Sequence, residues 1–565
     1  MVALAVVAMA DVYDANQPVW ADPPALGTLP VFAPNPVVSG TVRSIVVNGT
    51  TMDINQASQN AHLRALSLNL ASNAHLNINQ EVGVTSRTLI QVDPASGISQ
   101  VYGRITAQGQ LILFNRAGFV FGGTSRIDTR STIATALDPR NVEALNNLGL
   151  ALQQEEQYPA AMARYRQAAE LRPGFAEALL NWGNTLKDMG DLDGASAIYA
   201  NALAIRPGFA EALVNSASVA LDRGNLDEAR SWYRRALELD PRSADAQYGL
   251  GQIALREGRF DAGWDGYERR FETHPPQAIY RRLRQPRLAA ADLGRARRVA
   301  LWSEQGIGDQ VLFSTLLPEL ERRGIKGVVE VDARLAPLYR RSLPRFEFVP
   351  PESAEEAFAG CDYELPMGSL PGLFRRDVAS FAAQPRALLA ADARRMTAIR
   401  EQLGRGRVIG ISWRSLQKGG RRALGERKSI PLEHFAPLAQ ATGARLLDLQ
   451  YGDVTAEREQ FAARHPGVLV QIDGLDLHDD LDGVAAAIAC CDRVVTSSNV
   501  TAHLAGALGK ATQVVYLRDW PPFSYWTPGE GGQSRWYPSV RVESDPAWTS
   551  WERALEGLAK RLAGE

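Results

Sequence analysis

The sequence has 565 residues, enough for several domains, and a formal net charge of -2 at pH 7. A net charge this close to zero argues against nucleic acid as a general partner. The three cysteines, Cys361, Cys490 and Cys491, are too few for a disulfide framework and fit reduced thiols in an intracellular protein.

The N-terminus carries no clear targeting signal. No apolar run in the chain reaches the roughly 18 residues of a membrane-spanning helix. The first ten residues, MVALAVVAMA, look like part of a signal peptide, but they contain no basic residue and the apolar run is short. We therefore favour a truncated N-terminus, treat residues 1–39 as an extension, and expect a cytoplasmic protein, with a secreted or surface location as the alternative.

Residues 40–134 are predicted to form a β-rich module. This part of the chain has no lysine, and short runs that alternate apolar and polar residues end at Gly or Asn, which is typical of strands and turns. GTTMDINQASQNAHL (49–63) and GQLILFNRAGFVFGGTSRIDT (109–129) resemble the secretion domain of filamentous-haemagglutinin-type adhesins. That resemblance implies a right-handed β-helix, although residues 115–118 read Asn-Arg-Ala-Gly where the family usually has Asn-Pro-Asn-Gly.

Residues 135–275 repeat with a fixed period. Pro139, Pro173, Pro207 and Pro241 are each 34 residues apart, and a tyrosine recurs at the same interval from 165 to 267. This is the tetratricopeptide pattern, in which small residues let paired helices approach and aromatic residues fill the seam between them. We predict four helix pairs that stack into an α-solenoid with a concave face. The β-rich module runs directly into an incomplete repeat, which suggests a fusion junction near 127–137.

The second half of the chain alternates strand-like and helical runs, the pattern of parallel sheets covered by helices on both faces. About 270 residues is large for one such sheet, and 391–407 reads as a linking helix. We therefore predict two Rossmann-like lobes, residues 276–390 and 391–565. The predicted strands are 298–302, 327–331, 408–413, 445–451, 468–472, 493–497 and 512–517.

LWSEQGIGDQVLF (301–313) places a glycine-flanked carboxylate after the first of these strands. Ligands of open parallel sheets bind at the carboxyl ends of strands. Gly306 and Gly308 would let the backbone approach a ligand closely, and Asp309 is expected at or near the start of a helix over 310–322. On this chemistry alone, Asp309 is as well explained by helix capping as by function.

SEQGIGDQVLFSTLLPELERRG (303–324) resembles the corresponding loop of heptosyltransferase-like glycosyltransferases of the GT-B fold. It is closer still to bacterial proteins that join tetratricopeptide repeats to such a domain, as flagellin glycosyltransferases do. The resemblance implies that Asp309 is the general base that takes the proton from an acceptor hydroxyl. It also implies a metal-independent enzyme with a nucleotide sugar as its substrate and no cofactor.

RVVTSSNVTAHLAGALG (493–509) follows a later strand and begins a helix, an arrangement that binds anions. The related transferases often have Val-Asp-Thr-Ala-x-x-His here, so the chain departs from the motif at two positions and keeps the histidine. A capping role for Ser498 and Asn499, and a buried structural role for the histidine, remain alternatives. The residues predicted around the donor phosphates are Ser498, Asn499, Thr501 and His503.

The remaining candidates lie in loops of the second lobe. The basic loop after strand 408–413 offers Arg414 or Lys428 to neutralise a departing diphosphate, with a solvated loop as the alternative. Gln450 and Tyr451 follow the next strand and are expected to face the nucleotide base. RDWPPFSYWTPGEGGQSRWYP (518–538) resembles a family loop that places aromatic rings near a sugar or base, although packing is about equally expected. Its matching residues are Asp519, Trp520, Trp536 and Tyr537.

Asp480 and Asp482 do not form a metal site in our interpretation, because Asp482 reads better as a helix cap. The favoured hypothesis is a glycosyltransferase whose repeats hold a protein acceptor, plausibly a flagellin or surface-protein Ser/Thr hydroxyl. The alternatives are a secreted haemagglutinin-like adhesin and a catalytically degenerate repeat scaffold. The sequence leaves open the identities of the sugar, nucleotide and acceptor, the stereochemistry of transfer and the oligomeric state.

Overall fold

The structure is a computed structural model. It describes residues 142–278, 280–415, 425, 428–517 and 523–564, together with Ala74 and the strand segments between residues 4 and 135. The chain divides into two compact units, Met1–Trp182 and Gly183–Glu565.

The N-terminal unit opens with short strands, most of which pair in parallel. β1, β13, β10, β7, β5 and β2 lie side by side in that order, as do β12, β9, β6, β4 and β3, and β11 pairs with β8. The strands are β1 (Leu4–Val6), β2 (Val31–Ser39), β3 (Val42–Asn48), β4 (Thr51–Gln56), β5 (Asn60–Ser67), β6 (His75–Gln80), β7 (Arg87–Val92), β8 (Ser99–Val101), β9 (Arg104–Ala107), β10 (Gln110–Phe114), β11 (Phe119–Phe121), β12 (Arg126–Asp128) and β13 (Ser131–Thr135).

Alternation along β4, β6 and β9 explains why these strands form. Ile54, Leu76 and Ile105 are fully buried. The register aligns Met52 of β4 with Leu76 of β6, and Leu76 with Ile105 of β9, so apolar side chains stack from strand to strand. The β-helix itself stays a prediction, as does the junction near 127–137, and most of the first 30 residues lie outside the described residues.

The next part of the chain consists of paired helices with the predicted 34-residue period. α3 spans the division between the two compact units. The helices are α1 (Val142–Gln154), α2 (Tyr158–Leu171), α3 (Ala176–Asp188), α4 (Leu192–Ile205), α5 (Ala210–Asp222), α6 (Leu226–Leu239), α7 (Ala244–Arg256) and α8 (Phe260–Tyr267).

Close approach between helices depends on the small residues of the repeat. A Cβ atom at Gly149 would lie 2.4 Å from the ring of Tyr165, and one at Gly183 would lie 2.4 Å from Tyr199. Both tyrosines are buried. Each ring thus occupies the space that a side chain on the facing helix would need, which confirms the predicted packing of aromatic residues against small ones.

The turn inside each helix pair requires a left-handed backbone. Gly190, Gly224 and Gly258 have φ values of 82°, 81° and 77°. Glu156 occupies the same slot in the first pair with a φ of 57°. Glycine adopts this conformation without the steric cost that a Cβ atom imposes, which accounts for its recurrence in the turn.

The first lobe is a four-stranded parallel sheet in the order β16, β15, β14, β17. β14 is an interior strand, and all of its residues after Arg298 are buried. The elements of this lobe are β14 (Arg298–Trp302), α9 (Ile307–Ser314), α10 (Leu317–Arg322), β15 (Lys326–Glu330), α11 (Ala336–Ser342), β16 (Glu347–Val349), α12 (Pro351–Phe358), β17 (Tyr363–Pro366) and α13 (Leu370–Phe374).

The second lobe is a six-stranded parallel sheet in the order β20, β19, β18, β21, β22, β23. Its chain order reverses between β18 and β21. The elements of this lobe are α14 (Ala393–Leu403), β18 (Val408–Ser412), α15 (Ala436–Thr442), β19 (Arg445–Asp448), α16 (Thr455–Arg464), β20 (Leu469–Val470), α17 (Leu481–Cys490), β21 (Arg493–Thr496), α18 (Val500–Ala507), β22 (Thr512–Val515), β23 (Val540–Glu543) and α19 (Trp551–Ala563).

All seven predicted strands of the two lobes are present, most of them shorter than predicted. Two local predictions were wrong. The helix expected over 310–322 begins at Ile307 and is interrupted after Ser314; a second helix begins at Leu317, with Pro318 in its first turn. Asp480, rather than Asp482, caps α17, and Asp482 forms an ion pair with Arg341 of α11 in the first lobe.

The left-handed turns give a test of the repeat packing. We expect Gly224→Ala to destabilise the protein by about 1–2 kcal/mol, because its φ is unfavourable for any residue with a Cβ atom. Gly208 lies in the turn before α5 with no atom within 4 Å of an added Cβ. Gly208→Ala should therefore leave stability unchanged or slightly raised. Thermal unfolding of both variants checks this, and an equal effect would contradict it.

Candidate active site

The loop after β14 leads directly into α9. Gly306 is the residue that precedes the helix, with extended backbone angles (φ -68°, ψ 174°). Asp309 lies in the first turn, where the positive end of the helix dipole favours a carboxylate. Its side chain is half-buried. The expected position of Asp309 beside the carboxyl end of a central strand is therefore observed.

The loop after β21 leads in the same way into α18. The side chain of Asn499 caps this helix by accepting a hydrogen bond from the backbone N–H of Ala502 at 3.3 Å. The same side chain donates to Ser412 Oγ at 2.9 Å and so ties the ends of β18 and β21 together. Ser498, Thr501 and His503 are all buried. The capping role considered for Asn499 is thus its role in this structure.

α9 and α18 pack directly on each other. A Cβ atom at Gly308 would lie 3.0 Å from Cδ2 of His503, so the missing side chain is what permits the contact. In the first sheet, β14 lies between β15 and β17. In the second sheet, α18 follows β21, which lies beside the point where the strand order reverses. These are the positions at which open parallel sheets bind ligands. The two predicted halves of the site therefore share one location.

Charged and aromatic groups surround Asp309. Lys428 is buried, lies close enough to favour the ionised carboxylate, and places its Nζ 4.0 Å from the ring centre of Phe523. The Tyr525 ring stacks on Phe523 at 5.4 Å. Burial, followed by the charge of Asp309, raises the pKa of Tyr525 well above its ordinary value, which keeps the hydroxyl protonated and able to donate.

A second carboxylate, that of Glu304, helps to raise the pKa of Asp309. Burial raises the pKa of Asp309 to about 6, and the negative charge of Glu304 acts in the same direction. A hydrogen bond from the Gly306 backbone and the charge of Lys428 partly oppose both effects. Asp309 therefore titrates within the range that suits a general base near neutral pH.

His503 is held neutral. Burial and, to a smaller extent, the nearby positive charge of Lys428 lower its pKa to about 3. Its Nδ1 lies 3.1 Å from the hydroxyl of Tyr537, and its ring lies 4.9 Å from that of Trp526. The buried structural role considered for this histidine matches these contacts, although its ring also forms the surface on which Gly308 packs.

Two serine hydroxyls lie immediately before α18. Ser498 Oγ accepts a hydrogen bond from Trp526 Nε1 at 3.1 Å and interacts with the hydroxyl of Tyr525. Ser497 Oγ is buried and has no hydrogen-bond partner among the described residues. A buried donor without a partner is costly, and a ligand oxygen at the start of the helix would satisfy it.

Two of the predicted donor ligands, Arg414 and Gln450, have protein partners in this structure. The Arg414 guanidinium forms an ion pair with Glu457 of α16. Gln450 is completely buried, and its Oε1 accepts hydrogen bonds from Ser412 Oγ, Trp413 N and Arg414 N at 2.7–3.0 Å. Its Nε2 donates to the carbonyl of Tyr451 at 2.8 Å. These partners occupy the groups that we expected to face a nucleotide.

The remaining predicted residues separate into three cases. Tyr451 is half-buried and its ring lies 6.2 Å from that of His478. Trp536 is buried against Phe381 and Trp264, at ring distances of 5.2 and 6.2 Å, so packing, the alternative to a place beside the sugar, is its role. Asp519 and Trp520 lie outside the described residues.

Three residues close to Asp309 were not among the predicted site residues. Tyr525 lies inside the quoted loop 518–538, but it is not one of the residues that match the family loop. Glu304 precedes the glycines of the first motif, and its importance depends on a partner distant in sequence. Tyr267 had already been explained as the recurring tyrosine of the repeats. Its hydroxyl accepts a hydrogen bond from Gln305 Nε2 at 2.6 Å.

Family models confirm the helical part of the chain. Tetratricopeptide repeat models match residues 142–172, 180–244 and 220–284. The chain contains tetratricopeptide repeats.

Comparisons with individual proteins add one relative of known sequence. Protein FlbA of Caulobacter vibrioides is 34% identical over 288 residues, which cover 47% of this chain and 46% of that protein. The chain thus spans less than half of the length of this relative.

Similar solved structures include MamA (23% identity, TM-score 0.22, covering 24% of this chain and 73% of that one) and the Arabidopsis OM64 tetratricopeptide repeat domain (19% identity, TM-score 0.20, covering 20% and 95%). TM-scores of this size carry no argument about function. Within the described part of the chain, no helix has both the length and the apolar character needed to span a membrane.

The low pKa of His503 predicts a pH-dependent stability. The unfolded chain binds a proton on His503 near its ordinary pKa of about 6.5, whereas the native state binds it only near 3. Acidification between these values therefore favours unfolding. We expect His503→Gln to reduce the loss of unfolding free energy below pH 6.5 by up to about 1.4 kcal/mol per pH unit.

Urea unfolding at several pH values measures this slope. His274→Gln is a suitable control, because the His274 side chain is 89% exposed. Parallel curves for the wild type and His503→Gln would contradict a neutral, buried His503.

Proposed function

We propose that the protein is a glycosyltransferase that moves a sugar from a nucleotide-sugar donor to a hydroxyl group of a protein acceptor. The observation that carries the proposal is the juxtaposition of Asp309, on α9, with the start of α18 and Lys428. A carboxylate with a pKa of about 6 lies beside a buried cation and a helix start that bears hydroxyl groups. A base for the acceptor and a site for a diphosphate are the two functions that sugar transfer requires.

In the proposed reaction, the acceptor oxygen attacks the anomeric carbon of the donor sugar. Its proton passes to the Asp309 carboxylate as the new carbon–oxygen bond forms. The bond between the anomeric carbon and the phosphate oxygen breaks, and its electron pair leaves with the nucleoside diphosphate. Lys428, the hydroxyls of Ser497 and Ser498, and the free N–H groups at the start of α18 stabilise the charge on that leaving group.

Tyr525 supports the same assignment. Its hydroxyl interacts with both Asp309 and Ser498, which belong to opposite lobes. A sugar bound between the carboxylate and the diphosphate would lie against this ring or displace it, and aromatic faces suit sugar rings. The similarity to Protein FlbA covers too little of either chain to specify the sugar or the acceptor.

The tetratricopeptide repeats are proposed to hold the acceptor, a protein with a serine or threonine hydroxyl. The helices of such repeats form an extended concave surface suited to a peptide. For the N-terminal strands we propose a haemagglutinin-like β-helical module, supported by the parallel pairing of β4, β6 and β9.

Donor binding can be tested by thermal stabilisation. We expect one of UDP-N-acetylglucosamine, UDP-glucose, GDP-mannose or dTDP-rhamnose to raise the midpoint of unfolding, and its free nucleoside diphosphate to do so as well, because ligands that bind only the native state stabilise it. Lys428→Gln should reduce the shift. If neither the sugars nor the diphosphates change the midpoint, the proposed function is wrong.

The role of Asp309 can be separated from donor binding. We expect Asp309→Asn to lower the release of nucleoside diphosphate by about 100-fold or more, because an amide cannot accept the proton. The thermal shift given by the donor should persist, since the amide has nearly the same shape. Unchanged turnover by Asp309→Asn would remove Asp309 from the mechanism.

The pKa of Asp309 sets a pH dependence for the wild type. The base must be ionised to accept a proton, so the rate of turnover should be at its maximum above pH 7. The rate should fall as the pH is lowered, with a midpoint near pH 6. Diphosphate release measured between about pH 5 and pH 8 tests this. A rate that is constant across the range would show that proton transfer to Asp309 does not limit turnover.

A further inference from the structure

An arginine at the end of the last tetratricopeptide repeat contacts the segment that leads into α9, residues 303–309, which we call the Asp309 loop. Arg270 follows α8 and has a completely buried side chain. Its Nη2 donates to Glu304 Oε1 at 3.0 Å and to Ser369 Oγ at 2.8 Å, and its Nη1 donates to Glu268 Oε1 at 3.0 Å. The guanidinium therefore joins the end of the repeats to two segments of the first lobe.

The arginine also contacts two aromatic rings. Its guanidinium carbon lies 4.5 Å from the ring centre of Tyr267 and 4.2 Å from that of Phe271. These cation–π contacts, together with the hydrogen bonds to Glu304, Ser369 and Glu268, restrict the orientation of the guanidinium, so its donors point in set directions. The repeats thus contribute the guanidinium group of Arg270 in a fixed orientation.

Glu304 is the receiving group in the loop. Its side chain is 1% exposed, and Oε1 also accepts the backbone N–H of Gly368 at 3.0 Å. A Cβ atom at Gly368 would lie 2.3 Å from that oxygen, so the carboxylate fits tightly between the two segments. A buried carboxylate in this position needs the charge of Arg270.

The neighbouring residue makes a second contact with the repeats. Gln305 Nε2 donates to the Tyr267 hydroxyl at 2.6 Å. Glu304 and Gln305 are consecutive and lie immediately before Gly306, the residue that precedes α9. Any shift of these two residues therefore moves the first turn of α9, which carries Asp309.

We propose that Arg270 is a positioning residue that the repeats supply to the Asp309 loop. The repeat module then does more than hold an acceptor, because it completes the site by fixing residues 304–309 against α18. This inference rests on the proposed transfer only for its effect on turnover. The contact between the repeats and the loop can be measured without any substrate.

Hydrogen exchange followed by mass spectrometry tests the positioning role in the full-length protein. We expect Arg270→Gln to speed exchange of the amides in 303–310 by about tenfold or more, while amides in α17 and α18 keep their rates. Arg269→Gln is the matched control, since Arg269 pairs with Glu272 on the surface and should change neither region.

Turnover gives the second measurement, with the sugar nucleotide that stabilises the wild type most. Arg270→Gln should lower kcat by about tenfold to 100-fold and leave the KM for the donor nearly unchanged, because misplacing a reacting group affects the chemical step. Arg270→Lys should recover part of the loss, since an ammonium keeps the charge but not the fork. Tyr267→Phe, which removes one hydroxyl and no packing, should cause a smaller effect in the same direction.

Several results would overturn the proposal. These are exchange that rises uniformly in Arg270→Gln, exchange that does not rise at all, and a local rise without any loss of kcat. If Arg270→Gln fails to fold, Arg270→Lys and Tyr267→Phe decide the question by the same criteria. If the wild type turns over no sugar nucleotide, the proposed function fails, and the exchange measurement alone decides whether Arg270 holds the loop.

Discussion

The contact between Gly308 and His503 is the constraint on which the rest of the candidate site depends. It brings the first turns of two helices together, one from each α/β lobe, and each helix follows a central strand of its own sheet. Without a side chain at Gly308, the backbone of α9 rests on the imidazole. Asp309 and Ser498 then both interact with the hydroxyl of Tyr525, although they are almost 190 residues apart in the sequence.

The charged groups around Asp309 come from three parts of the chain and partly compensate one another. Asp309 and Glu304 repel each other, Lys428 favours the ionised form of Asp309, and Arg270 pairs with Glu304. Desolvation of all four groups disfavours their charges, so each depends on its partners. A neutral His503 fits this balance, because a second buried cation beside Lys428 would be repelled. The arrangement keeps one carboxylate able to accept a proton near neutral pH.

Local pattern predicted most of the fold. The 34-residue period specified the helix pairs, since all four pairs place a tyrosine in the same slot and three of the four place a glycine in the turn. Apolar runs identified seven strands of the two sheets. β16, β17 and β23 were missed; a charged residue, Glu347, Glu364 or Arg541, lies among the apolar residues of each. Asp309 and the α18 motif became candidates because a strand, a glycine or hydroxyl, and a helix start follow one another in the sequence and because both segments resemble family motifs; their roles stay predictions.

Contacts distant in sequence account for what could not be predicted. Gln450 was expected to face a nucleotide base, but three hydrogen-bond donors at the end of β18 surround its Oε1, and the sequence does not show them together. Trp536 reads as a ligand platform until its neighbours Trp264 and Phe381 are known. The pairing of Arg270 with Glu304 joins a repeat to a lobe, and neither residue stands out within its own motif. Such partners become visible only when the elements pack.

The most direct test of the account is a crystal structure of the full chain with a nucleotide sugar bound. The account predicts that the diphosphate lies at the start of α18, in contact with Ser497, Ser498 and Lys428, and that the anomeric carbon of the sugar faces Asp309. A donor bound in any other place, with Tyr525 still interacting with both Asp309 and Ser498, would contradict the proposal that these two helices form one active site.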